Sequence, residues 1–496
     1  MTTQPSASPH GLPDFMTPPF PERPDPAGLG RVHFVGMGGT GMSAVADLLL
    51  ERGLPVSGSD AKDGAALEVL RGKGAAVHIP QDARNVEGAD TVVVSTAIRE
   101  DNPELAAARA AGLRVLHRSD ALAAAMGENR TIAVAGTHGK TTTSSMIAVM
   151  LDGVGARPSF AVGASIAALG TNAALGEPGP EGWFVAEADE SDGSFVKYRP
   201  AVAVVTNVEA DHLDFYGTPE AVVEAFERFA QSIAPGGVLV ACGDDAGSRT
   251  LAQRRRAEGA PVVTYGTEPG ADILISDVSG DGTSSSAALS WAFELGGSTL
   301  EGQCELRLAV PGVHNQRNAA AAIACALIAG VDPARAAEAL GAYTGAARRF
   351  ELRGEENGVK VFDDYAHHPT EVAAALQAAR TVAAGHNVYA LFQPHLFSRT
   401  REFARAFAEA LSLADRAFVV DIYPAREEPM EGVTSRLITE AGFTEVRYAS
   451  SLHEAAARIA ASAAPGDIVM TIGAGDVTEF APILLAGLAE AGGGRR

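Results

Sequence analysis

From Arg31 onward, short apolar runs of four to seven residues alternate with longer segments rich in alanine and leucine, and most runs end at a small or polar residue. Strands buried on both faces of a parallel sheet have continuous apolar sequences, with helices as their connections. The pattern therefore predicts an α/β protein whose functional residues follow the carboxyl ends of its strands. The runs are RVHFVG, TVVVSTA, RTIAVAG, AVAVVTN, GGVLVAC, VKVFDD, NVYALFQ, AFVVDI and DIVMTIG.

The chain of 496 residues is too long for one hydrophobic core, and its length predicts about three domains. Two breaks in the alternation, at Gly127–Arg130 and Gly341–Arg349, are the expected boundaries. We predict a Rossmann-like domain over residues 29–127, a central domain with a P-loop ATPase-type parallel sheet over residues 128–345, and a Rossmann-like domain over residues 346–496.

Two segments depart from this pattern. Residues 266–310 contain SGDGTSSS and alternate polar with apolar positions, which predicts a small antiparallel addition to the central sheet. Residues 1–28 are rich in proline and contain no apolar run, so we expect them to form a disordered tail.

The formal net charge of -22 argues against nonspecific binding to nucleic acid or to an anionic membrane, since both are polyanions. The three cysteines are far apart and form no CxxC pair, which suits a reducing cytosol. The longest apolar run, Ala319 to Gly330, is too short to cross a bilayer, and the N-terminus does not have the pattern of a signal peptide. We therefore expect a cytoplasmic protein with neither a membrane nor a nucleic acid as partner.

The first candidate site is HFVGMGGTGMS, where Gly36, Gly38 and Gly41 follow a strand with GxGxxG spacing. Glycines at the start of a helix expose backbone amides that attract phosphate or pyrophosphate. Asp60 follows the next strand, in VSGSD. The motif alone leaves open a tight strand-to-helix turn, an NAD site, or a site for another diphosphate such as a UDP-sugar.

The second candidate is TIAVAGTHGKTTTSS, which resembles a phosphate-binding loop but has Val134 where the common P-loop has its first glycine. Gly136 and Gly139 would expose backbone amides, Lys140 would supply a positive charge, and Thr141 could hold Mg²⁺ through its hydroxyl. A lysine in a helix-capping turn is the alternative. The order of strand, glycines, lysine, hydroxyls and helix favours a phosphate site.

Four acids follow the apolar run of WFVAEADESDGSF, namely Glu187, Asp189, Glu190 and Asp192. Carboxylates this close repel one another unless a cation or water relieves the repulsion. A solvated surface turn would explain them, but at a strand end beside a phosphate loop they favour a Mg²⁺ site.

A third polar strand end occurs in AVAVVTNVEADHLDFYG. A single histidine after a strand is more often structural than catalytic, but here it joins an acidic cluster at the same predicted sheet edge, so a second metal ligand is reasonable. The residues are Asn207, Glu209, Asp211, His212 and Asp214.

The later motifs are less specific. Asn315 and Asn318 lie at a helix start, where they could cap the helix or hydrogen-bond a base. His367 and His368 could be a metal pair, although no third ligand stands at zinc spacing. Three arginines could bind carboxylate or phosphate, or could be surface charges. They are Arg348, Arg349 and Arg399.

Together these segments resemble the Mur ligases, the ATP-dependent amide-forming enzymes of peptidoglycan precursor synthesis. The resemblance runs from about residue 29 to the end, in the family's order, and the short loop GT-x-GKT is the form these ligases use. The blocks that carry it are HFVGMGGTGMS, AGTHGKTTT, EADESDGSF, NVEADHLDFYG, PGVHNQRNA, RRFE, DDYAHHPTE and FQPHLFSRT.

The resemblance implies a site for each substrate, with UDP-N-acetylmuramate bound by the first domain, ATP by the second and L-alanine by the third. For the sugar nucleotide it implies Gly36, Gly38, Gly39, Gly41, Asp60 and Ser95. For ATP it implies Gly136, Thr137, His138, Gly139, Lys140, Thr141, Thr142, His314, Asn315, Asn318 and Asp364. For Mg²⁺ it implies Thr141, Glu187 and His212, and for the amino acid Tyr365, His367 and Arg399. The implied catalytic residues are Lys140, His212, His368 and Arg349, in a monomer or homodimer.

Three positions depart from parts of the family pattern. Phe226 lies about where several of these ligases carry a carbamylated lysine, which suits the alanine-adding branch. Leu396 replaces an arginine of the FQPH block, and Ala366 resembles the branch that recycles a tripeptide. The tripeptide-adding ligase is therefore an alternative. An NAD-dependent oxidoreductase would leave the lysine loop and both acidic strand ends unexplained. The full set of ligand-type residues argues against an ATP-binding regulator without chemistry.

Overall fold

The computed structural model describes residues 25–425 and 427–493 and contains three sheets, each built mainly of parallel strands. The predicted α/β class is confirmed. The tail predicted for residues 1–28 lies, as far as residue 24, outside the described residues. Pro26–Leu29 form a 3-10 helix whose N-terminus is capped by the Asp25 side chain.

The first sheet is a five-stranded parallel sheet with strand order β3-β2-β1-β4-β5. This order reverses between β1 and β4, and in open α/β sheets ligands bind at such a switch point. The strands are β1 (Val32–Val35), β2 (Val56–Ser59), β3 (Ala76–His78), β4 (Thr91–Val94) and β5 (Arg114–His117). The helices are α1 (Thr40–Glu51), α2 (Ala65–Gly72), α3 (Pro103–Ala110) and α4 (Arg118–Met126), with a 3-10 helix at Ala83–Val86.

The second sheet has ten strands in the order β15-β14-β13-β12-β11-β10-β6-β9-β7-β8. Its first strands are β6 (Arg130–Ala135), β7 (Ser159–Ile166), β8 (Thr171–Ala174), β9 (Trp183–Glu187) and β10 (Val202–Val205). They are followed by β11 (Val238–Cys242), β12 (Val262–Gly266), β13 (Ile273–Asp281), β14 (Ser284–Leu295) and β15 (Ser298–Leu308). The helices are α5 (Lys140–Gly153), α6 (Leu213–Tyr216), α7 (Pro219–Gln231), α8 (Ala246–Ala257), α9 (Val313–Ala329) and α10 (Pro333–Leu340), with a 3-10 helix at Ser194–Lys197.

Strand β6 lies inside this sheet and pairs in parallel with β9 on one side and β10 on the other. The loops that follow these three strands therefore meet at one edge of the sheet, as the sequence predicts. The small addition predicted over residues 266–310 is confirmed as β13, β14 and β15, which follow one another through two-residue connections.

The third sheet has six strands in the order β16-β17-β21-β18-β19-β20, with β16 antiparallel at one edge. The strands are β16 (Glu351–Glu356), β17 (Val359–Asp364), β18 (Val388–Phe392), β19 (Arg416–Val419), β20 (Val446–Tyr448) and β21 (Ile468–Ile472). The helices are α11 (Pro369–Ala383), α12 (Phe397–Leu411), α13 (Arg436–Thr439), α14 (Leu452–Ser462) and α15 (Ala481–Gly493), with a 3-10 helix at Asp476–Phe480.

Local sequence explains where several helices begin. Asn102, Thr218 and Asp332 each precede a proline, and each accepts hydrogen bonds from backbone amides of the first turn of its helix. A capping side chain followed by proline is a strong start signal, because proline lacks an amide that would otherwise need a partner. Among the described residues, no helix has the length and hydropathy needed to span a bilayer.

The chain divides into two compact units. One holds the chain up to Ser276 together with Ala288–Leu306 and Arg317–Ala342, and the other holds Asp277–Ala287, Arg307–Gln316 and the chain from Tyr343. The first sheet and strands β6 to β12 of the second sheet thus belong to one unit. They share a continuous apolar core that includes Phe34 and Phe184.

Buried charge pairs also join the first two sheets. Lys197, which follows β9, donates a hydrogen bond to Asp120 of α4 at 2.8 Å, and both side chains are almost fully buried. His117, at the end of β5, lies 3.3 Å from Asp192 through its Nε2 atom.

We expect Asp120→Ala to destabilise this unit strongly, because the substitution leaves the buried Lys197 ammonium without its carboxylate. Breaking a buried pair typically costs about 3 to 5 kcal/mol of unfolding free energy. Urea unfolding followed by circular dichroism measures the loss. Glu100→Ala, which removes the exposed pair with Arg109, is the control and should cost less than about 1 kcal/mol. Equal losses in the two variants would contradict the assignment.

Candidate active site

The glycine loop of the first sheet connects β1 to α1 and is tied to the end of β2. The backbone amide of Gly38 donates to Asp60 Oδ2 at 2.9 Å. Gly39 is the N-cap of α1 and provides no capping side chain. Ser95 follows β4, which pairs with β1. The predicted sugar-nucleotide residues therefore lie around the switch point of the first sheet.

The second loop, between β6 and α5, begins two residues later than the common P-loop would, because Val134 and Ala135 still belong to β6. Val134, where the common motif has glycine, is fully buried within β6. Gly136 and Gly139 have φ angles of 139° and 82°, which disfavour any residue with a Cβ atom. A Cβ on Gly136 would also overlap the Thr206 hydroxyl. Both glycines are therefore required by the shape of this short loop.

The end of β10 holds the loop in place through several hydrogen bonds. The amide of His138 donates to Asn207 Oδ1 at 2.7 Å, and its carbonyl accepts from Thr206 Oγ1 at 2.5 Å and from Asn207 Nδ2 at 3.1 Å. The Thr137 hydroxyl accepts from the Glu209 amide at 2.9 Å. His138 Nε2 lies 3.4 Å from Glu209 Oε2. Asn207 and Glu209, predicted at this edge, thus position the loop.

Lys140 is half-buried against the acidic end of β9. Its ammonium donates to Glu190 Oε1 at 2.9 Å and to the Gly136 and Thr137 carbonyls at 2.7 and 3.1 Å. Burial alone would lower the pKa of Lys140, but the charges of Glu190 and Asp189 outweigh burial and raise the pKa above its ordinary value. Lys140 is therefore a fixed positive charge at neutral pH.

Thr141 and Glu187 come together beside this lysine. The Thr141 hydroxyl donates to Glu187 Oε1 at 3.0 Å, and the Gly163 amide donates to Glu187 Oε2 at 2.6 Å. Thr142, the next residue of α5, is partly exposed in the first turn. Hydroxyl and carboxylate oxygens are ligands that Mg²⁺ accepts, so these two predicted ligands fit that ion.

His212 faces Glu190 from the other side. Its Nε2 atom lies 3.6 Å from Glu190 Oε1 and 3.6 Å from Asp211 Oδ2. The backbone of His212 has a φ of 53° at the start of α6, a conformation that non-glycine residues adopt mainly where surrounding structure enforces it. Asp214 lies within α6, and its side chain is outside the described residues.

Two of the acids after β9, Asp189 and Asp192, are held ionised by their neighbours. Burial would raise the pKa of Asp189, but Arg118, Lys140 and His212 hold it well below its usual range. For Asp192 the opposing effect to burial comes chiefly from the hydrogen bond with His117, and its pKa is also lowered. Side chains of the protein itself therefore stabilise the charged forms of these two aspartates.

The asparagine pair predicted at a helix start is divided between two environments. In the first unit, the side chain of Asn318 lies against the phosphate loop, since a Cβ on Gly139 would be 3.1 Å from Asn318 Oδ1. In the second unit, Asn315 donates from Nδ2 to the Pro311 carbonyl at 2.7 Å. His314 lies at the same helix start, in α9.

In the second unit, Asp364 ends β17 as a buried carboxyl. Its two oxygens accept from the Phe350 and Ala366 amides, each at 2.8 Å. Burial raises the pKa of Asp364 to about 6, against the opposing charge of Arg349. The predicted ribose contact is thus a carboxyl that titrates unusually near neutrality.

The adjacent arginines have different environments. Arg348 donates from Nε to Asp363 Oδ2 at 3.1 Å and from Nη2 to the Gly473 carbonyl at 2.6 Å. The carboxylate that pairs with Arg348 is therefore that of Asp363. The Arg349 guanidinium lies 5.1 Å from the centre of the Tyr365 ring.

Tyr365 belongs to a cluster of aromatic and imidazole rings, of which only Tyr365 and His367 were predicted as site residues. Tyr365 and His367 have ring centres 5.3 Å apart, and His367 and His395 are 6.2 Å apart. His395 stacks on Tyr423 at 5.8 Å, and Arg399 Nη1 lies 3.5 Å from His395 Nδ1. His395 and Tyr423 were not predicted as site residues. The FQPH block contains His395, but nothing near Tyr423 signals a site.

Both histidines before α11 contact backbone groups in the structure. His367 Nδ1 lies 3.0 Å from the Tyr365 carbonyl, and His368 caps α11 by accepting from the Thr370 amide at 3.4 Å. Leu396, which replaces the expected arginine, is buried at the start of α12 with a φ of 71°. An apolar side chain therefore occupies the position where the family pattern has a cation.

Comparisons with known proteins agree with this arrangement. Family models match residues 31–130 as "Mur ligase family, catalytic domain", residues 134–326 as "Mur ligase middle domain" and residues 348–475 as "Mur ligase, glutamate ligase domain". The chain belongs to the Mur ligase family and is an enzyme of the ligase class. This membership assigns the glycine loop to a ligase rather than to an oxidoreductase.

Individual proteins of this family are similar to the chain over most of its length. The chain is 57% identical over 462 residues to the UDP-N-acetylmuramate–L-alanine ligase of Paenarthrobacter aurescens, covering 93% of this chain and 97% of that one. A crystal structure of the UDP-N-acetylmuramate–alanine ligase from Thermotoga maritima matches with a TM-score of 0.74 and 29% identity, covering 93% of this chain and 99% of that one. A murein peptide ligase from Psychrobacter arcticus matches with a TM-score of 0.69 and 26% identity, with coverage of 93% and 99%.

Asp364 should make part of the stability depend on pH. A carboxyl whose pKa is raised by folding contributes stability below its ordinary pKa of 3.8, and this contribution is lost as the pH rises through about 6. The free energy of unfolding of the wild type relative to Asp364→Asn is therefore expected to fall by about 2 to 3 kcal/mol between about pH 4 and about pH 7. Denaturant titrations at both pH values measure it.

The side-chain amide of the Asp364→Asn variant has only one oxygen, so it accepts only one of the two backbone hydrogen bonds. This loss shifts the stability of the variant by an amount that does not vary with pH. Glu431→Gln neutralises an exposed carboxylate of the same unit and should follow the wild type. A constant difference between wild type and Asp364→Asn across the pH range would contradict the raised pKa.

Proposed function

We propose that this protein joins L-alanine to the lactyl carboxylate of UDP-N-acetylmuramate while ATP is converted to ADP and phosphate, as a step of peptidoglycan precursor synthesis in the cytoplasm. Membership of the ligase family and 57% identity to alanine ligases support the substrates. The observation that carries the chemistry is the meeting of Lys140, Glu190 and His212 at the phosphate loop.

Activation of the carboxylate is the first chemical requirement. A carboxylate is a poor electrophile, so its oxygen attacks the γ-phosphate of ATP and ADP leaves, which gives an acyl phosphate. Lys140 and the amides of the loop are placed to neutralise charge on the transferring phosphoryl group. Because Lys140 contacts Glu190, a phosphate must compete with that carboxylate for the ammonium group.

A metal ion fits the donor groups at this edge, which are a hydroxyl, a carboxylate and an imidazole. Thr141, Glu187 and His212 would hold Mg²⁺, which would supply further positive charge at the phosphates. The 3.0 Å contact between the Thr141 hydroxyl and Glu187 supports these two as neighbouring ligands.

Formation of the amide completes the reaction. The amine of L-alanine attacks the acyl carbon, the carbon–oxygen bond to phosphate breaks, and the amine loses a proton. His212 or His368 could accept this proton, and the choice between them stays open.

The remaining residues are assigned by the resemblance alone. We assign residues 29–127 to the sugar nucleotide, 128–345 to ATP and 346–496 to the amino acid. The sugar-nucleotide contacts are Gly36, Gly38, Gly39, Gly41, Asp60 and Ser95. The nucleotide contacts are Gly136, Thr137, His138, Gly139, Thr142, His314, Asn315, Asn318, Asp364 and Arg349. The amino-acid contacts are Tyr365, His367 and Arg399.

The substrate assignment is tested by phosphate release from ATP with Mg²⁺ and UDP-N-acetylmuramate. We expect release to depend on the amino acid and to be fastest with L-alanine, compared at equal concentration with glycine, L-serine and the tripeptide L-alanyl-γ-D-glutamyl-meso-diaminopimelate. A preference for the tripeptide would replace the proposal with the peptide-recycling ligase. Release that does not depend on any of the four acceptors would overturn the ligase chemistry.

Lys140→Ala is expected to reduce turnover by at least about a thousandfold, because the transferring phosphoryl group loses its nearest cation. The substitution also leaves Glu190 buried without its partner. The double variant Lys140→Ala/Glu190→Gln removes that unpaired charge, so it separates catalysis from stability. Lys62→Ala changes an exposed lysine and is the control. Recovery of turnover in the double variant would show that Lys140 acts only by pairing Glu190.

A further inference from the structure

Arg118 is a charged side chain that the proposed chemistry does not use. It is the first residue of α4, directly after β5, and its Nη2 atom donates to Asp189 Oδ2 at 3.4 Å. The neighbouring pairs His117–Asp192 and Asp120–Lys197 join the same two segments. The start of α4 is therefore fixed against the acidic strand end beside Lys140.

The same guanidinium also lies at the glycine loop of the first sheet. A Cβ built on Gly41 would overlap Arg118 Nη1 and lie 3.2 Å from its Cζ, and the nearest atoms to that Cβ all belong to Arg118. Gly41 is the second residue of α1, so the guanidinium covers the first turn of this helix. Arg118 thus contacts both candidate sites of the first unit.

This position brings like charges together. The first turn of α1 contains no acidic residue, and its N-cap Gly39 supplies no capping side chain, so its amides and the helix dipole present positive charge. A guanidinium placed over that turn adds a full positive charge. Its five N–H groups form a planar fork that suits phosphate oxygens, and the contact with Asp189 uses Nη2.

We propose that Arg118 binds the diphosphate of the sugar nucleotide held by the glycine loop, while its contact with Asp189 ties that diphosphate to the ATP-binding edge of the second sheet. The inference rests on the proposed function and adds to it a binding residue. Gly41 is glycine, on this account, because any side chain there would displace the guanidinium.

The test compares Arg118→Ala and Arg118→Lys with the wild type. For Arg118→Ala we expect the KM for UDP-N-acetylmuramate to rise by about tenfold to a hundredfold, with the KM values for ATP and L-alanine changed less than about twofold. Arg118→Lys should recover part of the loss, because an ammonium keeps the charge but not the fork. Arg114→Ala, which changes an exposed arginine at the start of β5, is the control and should leave all three KM values unchanged.

Binding without ATP separates the diphosphate from the rest of the substrate. In calorimetry, Arg118→Ala should weaken UDP-N-acetylmuramate and UDP-N-acetylglucosamine by the same factor, since both carry the diphosphate and the second lacks the lactyl carboxylate. A loss confined to UDP-N-acetylmuramate would mean that Arg118 binds the carboxylate and would overturn the proposal.

A double-mutant cycle tests the contact with Gly41. Gly41→Ala should raise the KM for UDP-N-acetylmuramate in the wild type but have no further effect in Arg118→Ala, where the new Cβ has room. Additive effects would contradict the proposal.

These outcomes can be distinguished from failure of the proposed function. A wild type that binds UDP-sugars but releases no phosphate would overturn the ligase reaction and leave the Arg118 assignment standing. If the wild type is fully active and the Arg118→Ala variant binds UDP-sugars as tightly as the wild type, the Arg118 assignment alone is overturned. A wild type that binds neither UDP-sugar would overturn both.

Discussion

The ion pair between Lys140 and Glu190 is the contact around which the candidate site is organised. The lysine begins α5 and the glutamate follows β9, so the pair forms because β6 and β9 are neighbours in the sheet. Removing two charges from water costs several kcal/mol unless they attract each other closely. His212 also faces this carboxylate, and the Tyr216 hydroxyl donates to the Glu190 carbonyl at 2.5 Å. Three segments of the chain are therefore held at one residue.

The sequence predicts the parts of the site that follow strongly apolar strands. The phosphate loop and the acidic end of β9 were predicted correctly as strand ends at one sheet edge, because parallel pairing places such ends together. Val134 looked like a defect in the loop, but its burial in β6 shows that the loop begins at Gly136. Short apolar runs and glycine spacing were sufficient for these elements.

Other features depend on contacts that no local pattern contains. Strand β5 has the sequence RVLH, with an exposed first residue, so it did not stand out as an apolar run and the importance of Arg118 was missed. Arg348 donates hydrogen bonds both to Asp363 and to the Gly473 carbonyl. These contacts join segments that are more than a hundred residues apart in the chain. Such pairings are set by the packing of the third sheet, and only the folded structure reveals them.

The core shared by the first two sheets has a consequence for how such proteins diversify. Helix α1 packs against β7 and β8 as well as on its own sheet, and the apolar cluster runs from Leu29 to Ala252 without a division. A recombination event that exchanged residues 29–127 alone would leave mismatched apolar surfaces and unpaired buried charges such as Lys197. In the evolution of this chain, the two sheets are therefore expected to be inherited together, as one module with two binding loops.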